Sequence, residues 1–404
     1  MRYVGLDVHK QTVRVCVLDE AGRRVLGKTI PCTREALIAL ARETLSHQDR
    51  VALEATTNTW AVVDLISPHV AAVAVSNPLR TKAIAEAKVK TDKVDAEVLA
   101  QLLRCDYLPP VWQPDERTRQ LRELTGYRTA LVGDRTRIKN RIQGLLAQRM
   151  IKPPVKMLFS KAGLAWLQNL ELVEQDRRVI DSQLRLLGDI EKEFHSLDRK
   201  LQEFAYREDE AKLLMTLPGV SHGTALSLLA ALGDISRFRD GDHAASYLGL
   251  APSTRQSAGH CYHGHITKAR DANARWMLTQ GVQHIAKHPG PLGVFFRRLS
   301  KRKNRNVAIS AVARKLVTIA FLMLKNKEPY RYAVAKRVHE KFTHMCSVAT
   351  GKQAKAVKAT PRTLPAACAG HDLPPIRAFP DLPPGERRML RDKQIEAVCV
   401  RCTA

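Results

Sequence analysis

Aromatic side chains are scarce: Phe, Trp and Tyr make up 5% of the 404 residues. Stacking of successive bases on an aromatic platform is therefore not the obvious way for this chain to hold a nucleic acid. Acidic residues are also few, 40 against 66 Lys and Arg, for a formal net charge of +26. The first 100 residues hold 14 Lys/Arg and 12 Asp/Glu, so an excess of +24 lies beyond them. Such a balance fits a polyanion partner, nucleic acid before others. A ribosomal-type or merely soluble basic protein is the plainer alternative. Cysteine forms no framework: eight residues are scattered, which fits a reducing compartment. Cys399 and Cys402 make one CxxC, and a zinc site would need two further ligands. No apolar run approaches about 18 residues, so no transmembrane helix is expected. The N-terminus reads as a strand and not as a signal peptide, and a cytoplasmic location is the expectation.

What is present falls into segments. Residues 2–9 and 12–19 read as strands joined by a tight turn, with a third around "GKTI". "TREALIALARETLS" reads as a helix, "VALEAT" (51–56) as a strand, 58–67 as a helix and 70–76 as a strand. Residues 91–104 read as a further helix. The order β-β-β-α-β-α-β-α predicts an α/β domain with a mixed sheet. "CDYLPPVWQP" ends it near residue 114.

Residues 115–150 form a basic helical stretch, broken by Pro153 and Pro154, and 162–205 are helical again. Apolar positions 180, 184, 187, 190, 194, 197, 201 and 204 have near-heptad spacing. That suits a helical hairpin or a coiled coil, with packing inside the monomer as the alternative to oligomerisation. The expected domains are 1–114, a helical linker 115–208, a mostly helical domain 209–330 and a basic, partly disordered tail 331–404.

Four carboxylates carry the chemistry. Asp7 sits in the middle of an apolar strand and Glu54 interrupts another. Asp92 and Asp95 share one face of a helix through their i, i+3 spacing. Singly, each reads as a cap, an edge residue or a solvated helix face. Gathered together they would repel, and hard divalent cations, Mg²⁺ or Mn²⁺, would relieve that. Lys88, Lys90 and Lys93 surround the helical pair, as phosphate contacts would.

The second constellation is basic. "RTRIKNR" supplies Arg135, Arg137, Lys139 and Arg141. The turn Leu217-Pro218-Gly219-Val220 between helical runs resembles a helix-hairpin-helix element, whose backbone amides grip phosphate, or else is simple helix packing. The segment from Tyr247 to Leu278 reads as a polar loop around Ser257, with Arg255 and Lys268 nearby. A loop serine is usually only that, and Ser253 competes for any nucleophilic role. His260, Cys261, His263 and His265 face solvent or phosphate, or hold a metal. Arg297, Arg298, Lys301, Arg302, Lys303 and Arg305 form a phosphate-binding patch ahead of a buried helix.

Taken in order, "GLDVHK", "EAT", "KTDKVDA", "LPGVSHGTA" and "GLAPSTRQSAG…HITKA" resemble the DEDD transposases of bacterial insertion sequences, with the Piv and MooV invertases among their relatives. The resemblance covers roughly residues 2–325. It implies an RNase H-like (RuvC-like) N-terminal domain, a helical linker and a C-terminal transposase domain. It implies an acidic tetrad at Asp7, Glu54, Asp92 and Asp95 holding Mg²⁺ or Mn²⁺, and a catalytic serine in Ser257-Ala258-Gly259. It further implies donor and target DNA as substrates, guidance by a bridge RNA, and a homo-oligomer, a dimer or a dimer of dimers, in which the two domains of a site come from different subunits. No membrane is expected. The rival readings are a RuvC-like junction resolvase using metal-activated water and a non-catalytic nucleic-acid-binding protein.

Overall fold

The computed structural model describes residues 1–84, 92–257, 260–268 and 271–351; the side chains of Asp92, Lys93, Arg255, Ser257 and His263 lie outside that description. The described residues fall into two compact units, Met1–Pro114 and Asp115 onward.

The first unit is a mixed sheet between helices. Its strands are β1 (Tyr3–Val8), β2 (Thr12–Leu18), β3 (Arg24–Pro31), β4 (Arg50–Glu54) and β5 (Ala72–Ser76), in spatial order β3-β2-β1-β4-β5. The three N-terminal strands form an antiparallel meander, whereas β4 and β5 add parallel to β1. Each parallel addition needs a crossover, supplied by α1 (Arg34–Glu43) and α2 (Thr59–Ile66). Val4, Leu6, Val8, Val13, Val15, Val51 and Leu53 pack against Leu37 and Leu40 of α1 and Val62 and Ile66 of α2. Arg2 ties the start of the sheet to the buried Asp49 through Nε at 2.9 Å and Nη2 at 2.6 Å.

Beyond α3 (Pro78–Ile84), α4 (Asp92–Arg104) covers the other face of the sheet. Its apolar positions Ala96, Leu99, Ala100 and Leu103 form a helical stripe that is buried against Tyr3, Cys16, Leu18 and Ala52. Gly5 is required there. A Cβ at residue 5 would stand 1.9 Å from the Ala96 carbonyl oxygen and 2.9 Å from the Ala100 nitrogen. The proline-rich segment after α4 borders β5, with the Val111 N–H donating to Val75 O at 2.7 Å.

The second unit is mostly helical. α5 (Glu116–Gln148) begins at Asp115, whose carboxylate accepts the Thr118 N–H at 2.7 Å. The stretch 162–205 is not one helix: α6 (Lys161–Asn169) and α7 (Glu174–Arg207) are separate. α5 and α7 lie antiparallel, with Ile138, Ile142 and Leu146 against Ile180 and Leu187, and with Leu121 near Leu201. The near-heptad stripe of α7 is thus covered inside the chain, so its spacing needs no partner helix.

The main core of this unit gathers α8 (Asp209–Met215), α9 (His222–Leu232), α10 (Gly241–Tyr247), α11 (Ala272–Ile285), α12 (Pro291–Ser300), α13 (Arg305–Asn326) and α14 (Ala335–Thr350). Every residue of α9 from Gly223 to Leu232 is buried, as an all-apolar helix requires. α14 corrects the expected tail, because Val338, Phe342 and Met345 belong to this core. Residues 352–404, with Cys399 and Cys402, lie outside the described residues. α13 is the one described helix long and apolar enough to cross a membrane, with mean hydropathy 1.9; 56% of that stretch is buried in the protein, as befits a core helix.

Between α10 and α11 the chain forms an antiparallel pair, β6 (Pro252–Ser257) and β7 (His260–Ile266), where a polar loop was expected. A two-stranded ribbon with both faces wet shows no apolar alternation to read.

Candidate active site and nucleic-acid interface

The acidic residues of the first unit follow from strand register. Leu6 of β1 lies opposite Leu53 of β4, so Asp7 and Glu54 are the next pair along this parallel register. Both lie on the α4 side, because alternate residues face opposite ways. Neighbouring strands run about 5 Å apart, so the two positions stand side by side at the C-terminal strand ends. α4 crosses Gly5 at Ala96, and Tyr3 packs against the cluster that holds Leu99 and Leu103. The helix therefore runs antiparallel to β1, and its first turn lies beyond Gly5 on the Asp7 side. Positions 92 and 95 continue the sheet-facing stripe into that turn.

The backbone positions of residues 7, 54, 92 and 95 share one end of the sheet. Among the described residues, no three His, Cys, Asp or Glu side chains come close enough to hold a metal ion. The donor set is made only of carboxylate oxygens, which fits a hard divalent cation. Asp7 is largely buried, its side chain 15% exposed, and its Oδ2 lies 3.0 Å from His9 Nε2. His9 was missed in the sequence, although its i, i+2 offset from Asp7 in "GLDVHK" was the available signal.

Ser257 ends β6, opposite His260 of β7. Ser253 lies lower on the same strand, packed beside Gly264. His260, Cys261, His263 and His265 all lie on β7, with alternation setting His260 and Cys261 on opposite faces. Arg255 pairs with Tyr262 across the ribbon, and Lys268 follows it with an exposed side chain.

The basic residues divide. Lys88 and Lys90 lie outside the described residues. Arg135 and Lys139 both approach Glu191 of α7, at 3.9 and 3.4 Å, and Arg137 pairs with Asp134. Arg135 also lies over the Phe194 ring. Part of the α5 basic run is thus ion-paired within the second unit, and Arg137 and Arg141 are its exposed members. Arg297 donates to the Ala286 and His288 carbonyls at 3.0 and 2.9 Å, a helix-end role that sequence reading missed. Lys301, Arg302 and Lys303 are exposed, and Arg298 lies over Phe295.

The 217–220 turn packs on α11. Gly219 has φ +72°, and a Cβ there would stand 2.2 Å from the Gly281 carbonyl oxygen. Gly281 in turn admits no Cβ, with Gly219 O at 2.6 Å. The glycine thus serves close backbone packing, which the phosphate reading of the hairpin did not include. From α14, Lys341 Nζ donates to the carbonyls of Met215, Leu217 and Val220 at 2.7, 2.8 and 2.8 Å. Burial pulls its pKa down to about 7. His288 is pulled to about 4, by burial first and then by the Lys341 and Arg297 charges, and its Nδ1 accepts the Gly290 N–H at 3.0 Å. Nearby, burial pushes the Asp198 carboxyl up, but hydrogen bonds from His222 and Arg128 outweigh it and hold the group well below the usual range.

Comparison with known proteins agrees with these features. Residues 4–151 match a family model for DEDD transposases, described as a transposase, and residues 211–294 match the model of the transposase IS116/IS110/IS902 family. Together the two regions make up more than half of the chain. The pilin gene-inverting protein of Moraxella bovis is 25% identical over 356 residues, covering 84% of this chain and 99% of that protein. The transposase for insertion sequence element IS1111A of Coxiella burnetii is 23% identical, covering 82% of this chain and 92% of its own. An insertion element IS116 protein of Streptomyces clavuligerus is 26% identical over 290 residues, 59% of this chain and 72% of that one. The chain belongs to the IS116/IS110/IS902 family of transposases.

Proposed function

We propose that this transposase recombines DNA at the ends and target of its insertion sequence by strand cleavage and rejoining through a phosphoserine. In this reading the first unit is an RNase H-like, RuvC-like domain acting in the bacterial cytoplasm. The observation that carries it is the register of Asp7 beside Glu54 under the acidic first turn of α4. Asp7, Glu54, Asp92 and Asp95 would hold Mg²⁺ or Mn²⁺, which neutralises charge developing on a scissile phosphate.

Ser257 is the nucleophile of the reading. Its Oγ bonds to phosphorus, the bond from phosphorus to one deoxyribose oxygen breaks, and the serine proton ends on that oxygen. The hydroxyl of the exchanged strand then attacks the phosphoserine and regenerates the serine. Bonds are exchanged one for one, so no nucleotide cofactor is consumed. The position of Ser257 at the tip of a two-stranded ribbon supports this role, since a tip reaches a backbone that a packed surface does not. Guidance by a bridge RNA accords with the charge: base pairing supplies sequence, while Lys and Arg hold backbone phosphates.

The test is recovery of a protein–DNA adduct after denaturation in Mg²⁺. The wild-type chain should give the adduct and Ser257→Ala should not. Cleavage by Ser257→Ala at the wild-type rate, with no adduct in either, would instead establish a resolvase that uses water.

A further inference from the structure

A cavity of about 930 Å³ opens in the second unit between the 218–221 turn, α11 and α14. Its size lies within the ~300–1,000 Å³ typical of small-ligand sites. None of its lining residues is Asp or Glu, in contrast to the ion-paired surface of α5 and α7. Instead it is lined by Lys287, Arg337, His284 and the buried Lys341, with Gln280 and Gln283 as neutral hydrogen-bonding groups. Trp276 also lines it, with 37% of its surface exposed. Trp276, Gln280, Gln283 and His284 recur at helical spacing, so one face of α11 carries an aromatic ring and amides, and Lys287 follows just past its end.

The face continues into the basic loop. Arg305 Nη2 donates to Gln283 Oε1 at 2.6 Å, which joins the rim of the cavity to the exposed run Lys301–Arg305. Arg337 spends part of its guanidinium on Glu340, at 2.8 Å, and still leaves donors for an anion. His288, neutral at pH 7, and the Pro218–Gly219 turn give the cavity an uncharged floor.

We propose that this cavity receives an unstacked base of a single-stranded nucleic-acid segment. The base lies against Trp276, Gln280 and Gln283 offer its edge hydrogen bonds, and the flanking phosphates run over Lys287 and Lys301–Arg305. A duplex keeps its bases stacked and has none to insert, so the site discriminates single strands. The identity of the polymer rests on the recombinase reading; the geometry of the site does not.

The test uses the full chain and fluorescence anisotropy at about 0.15 M salt. The probes are an oligouridine RNA, an oligothymidine DNA and a duplex, each about 15 nucleotides long. Trp276→Ala should weaken binding of at least one single strand by about 5- to 100-fold, since stacking contributes about 1–3 kcal/mol per base. Duplex binding should change by less than about 2-fold, and Trp276→Phe should restore most of the single-strand affinity. Loss confined to RNA identifies a guide-RNA segment; loss confined to DNA identifies a displaced strand.

Equal loss on duplex and single strands, no loss on either, or a Phe variant no better than Ala would overturn the proposal. Trp276 is partly exposed, so an unchanged urea midpoint will confirm that the Ala variant folds. Wild-type protein that bound no nucleic acid would remove the recombinase reading as well. Normal recombination with unaltered Trp276→Ala binding would remove this proposal alone.

Discussion

Gly5→Ala tests how the sheet carries the acidic helix. The new Cβ would start 1.9 Å from the Ala96 oxygen and 2.9 Å from the Ala100 nitrogen. Both are backbone atoms of α4, so no side-chain rotation relieves the clash. Restoring ordinary contact moves the helix outward by more than about 1 Å. Overpacking of this kind costs about 1–3 kcal/mol, and the lifted stripe of Leu99 and Leu103 adds to the cost. Residues 92 and 95 move with the helix, away from Asp7 and Glu54. A misplacement near 1 Å in a catalytic constellation lowers rate by about 100-fold. Urea unfolding of the full chain should show the loss of stability. Mg²⁺-dependent strand cleavage should fall about 100-fold, with nucleic-acid affinity nearly unchanged. Gly27→Ala is the control. Its Cβ would meet only flexible side-chain atoms, the Arg14 guanidinium at 3.4 Å and the Arg24 side chain at 3.6 Å, so both readouts should stay near wild type. Wild-type stability and cleavage in Gly5→Ala would refute the account of how α4 is seated.

Further outcomes are expected. Asp7→Ala should abolish recombination and keep DNA and RNA affinity within about 2-fold in filter binding; full activity would reject its role. His288 is neutral in the folded protein and has a pKa of about 4, against 6.5 when unfolded. Its stabilisation is complete above pH 6.5 and is lost as pH falls toward 4, because the unfolded chain binds the proton more readily. The loss should reach about 3 kcal/mol in urea titrations, and His288→Gln should remove that slope. Lys341→Met leaves the carbonyls of Met215, Leu217 and Val220 without their shared donor and should lower stability by about 2–4 kcal/mol. An unchanged urea midpoint would count against that role.

The first unit was legible because each element announces itself. Val and Leu alternate with other residues in β1, as Val does in β2, and the stripe at 96, 99, 100 and 103 spells a one-faced helix. Asp7 and Glu54 stood out for a related reason, as charges in apolar strands. The second unit was legible as helical, but its site was not. The β6–β7 ribbon buries neither face, so its sequence carries no periodic signal. The cavity unites residues near 219, 280 and 341, and no local pattern links positions so far apart. Arg135, Lys139 and Arg297 read as free cations because composition counts charge and is blind to the carboxylate or carbonyl opposite.

The three carbonyls held by Lys341 are made 121 or more residues before the ammonium that ties them. During synthesis at about 5–20 residues per second, the turn leaves the ribosome many seconds ahead of its latch. Helix α14 thus sets when the hairpin becomes rigid, and a chain stopped short of it would present that turn loose.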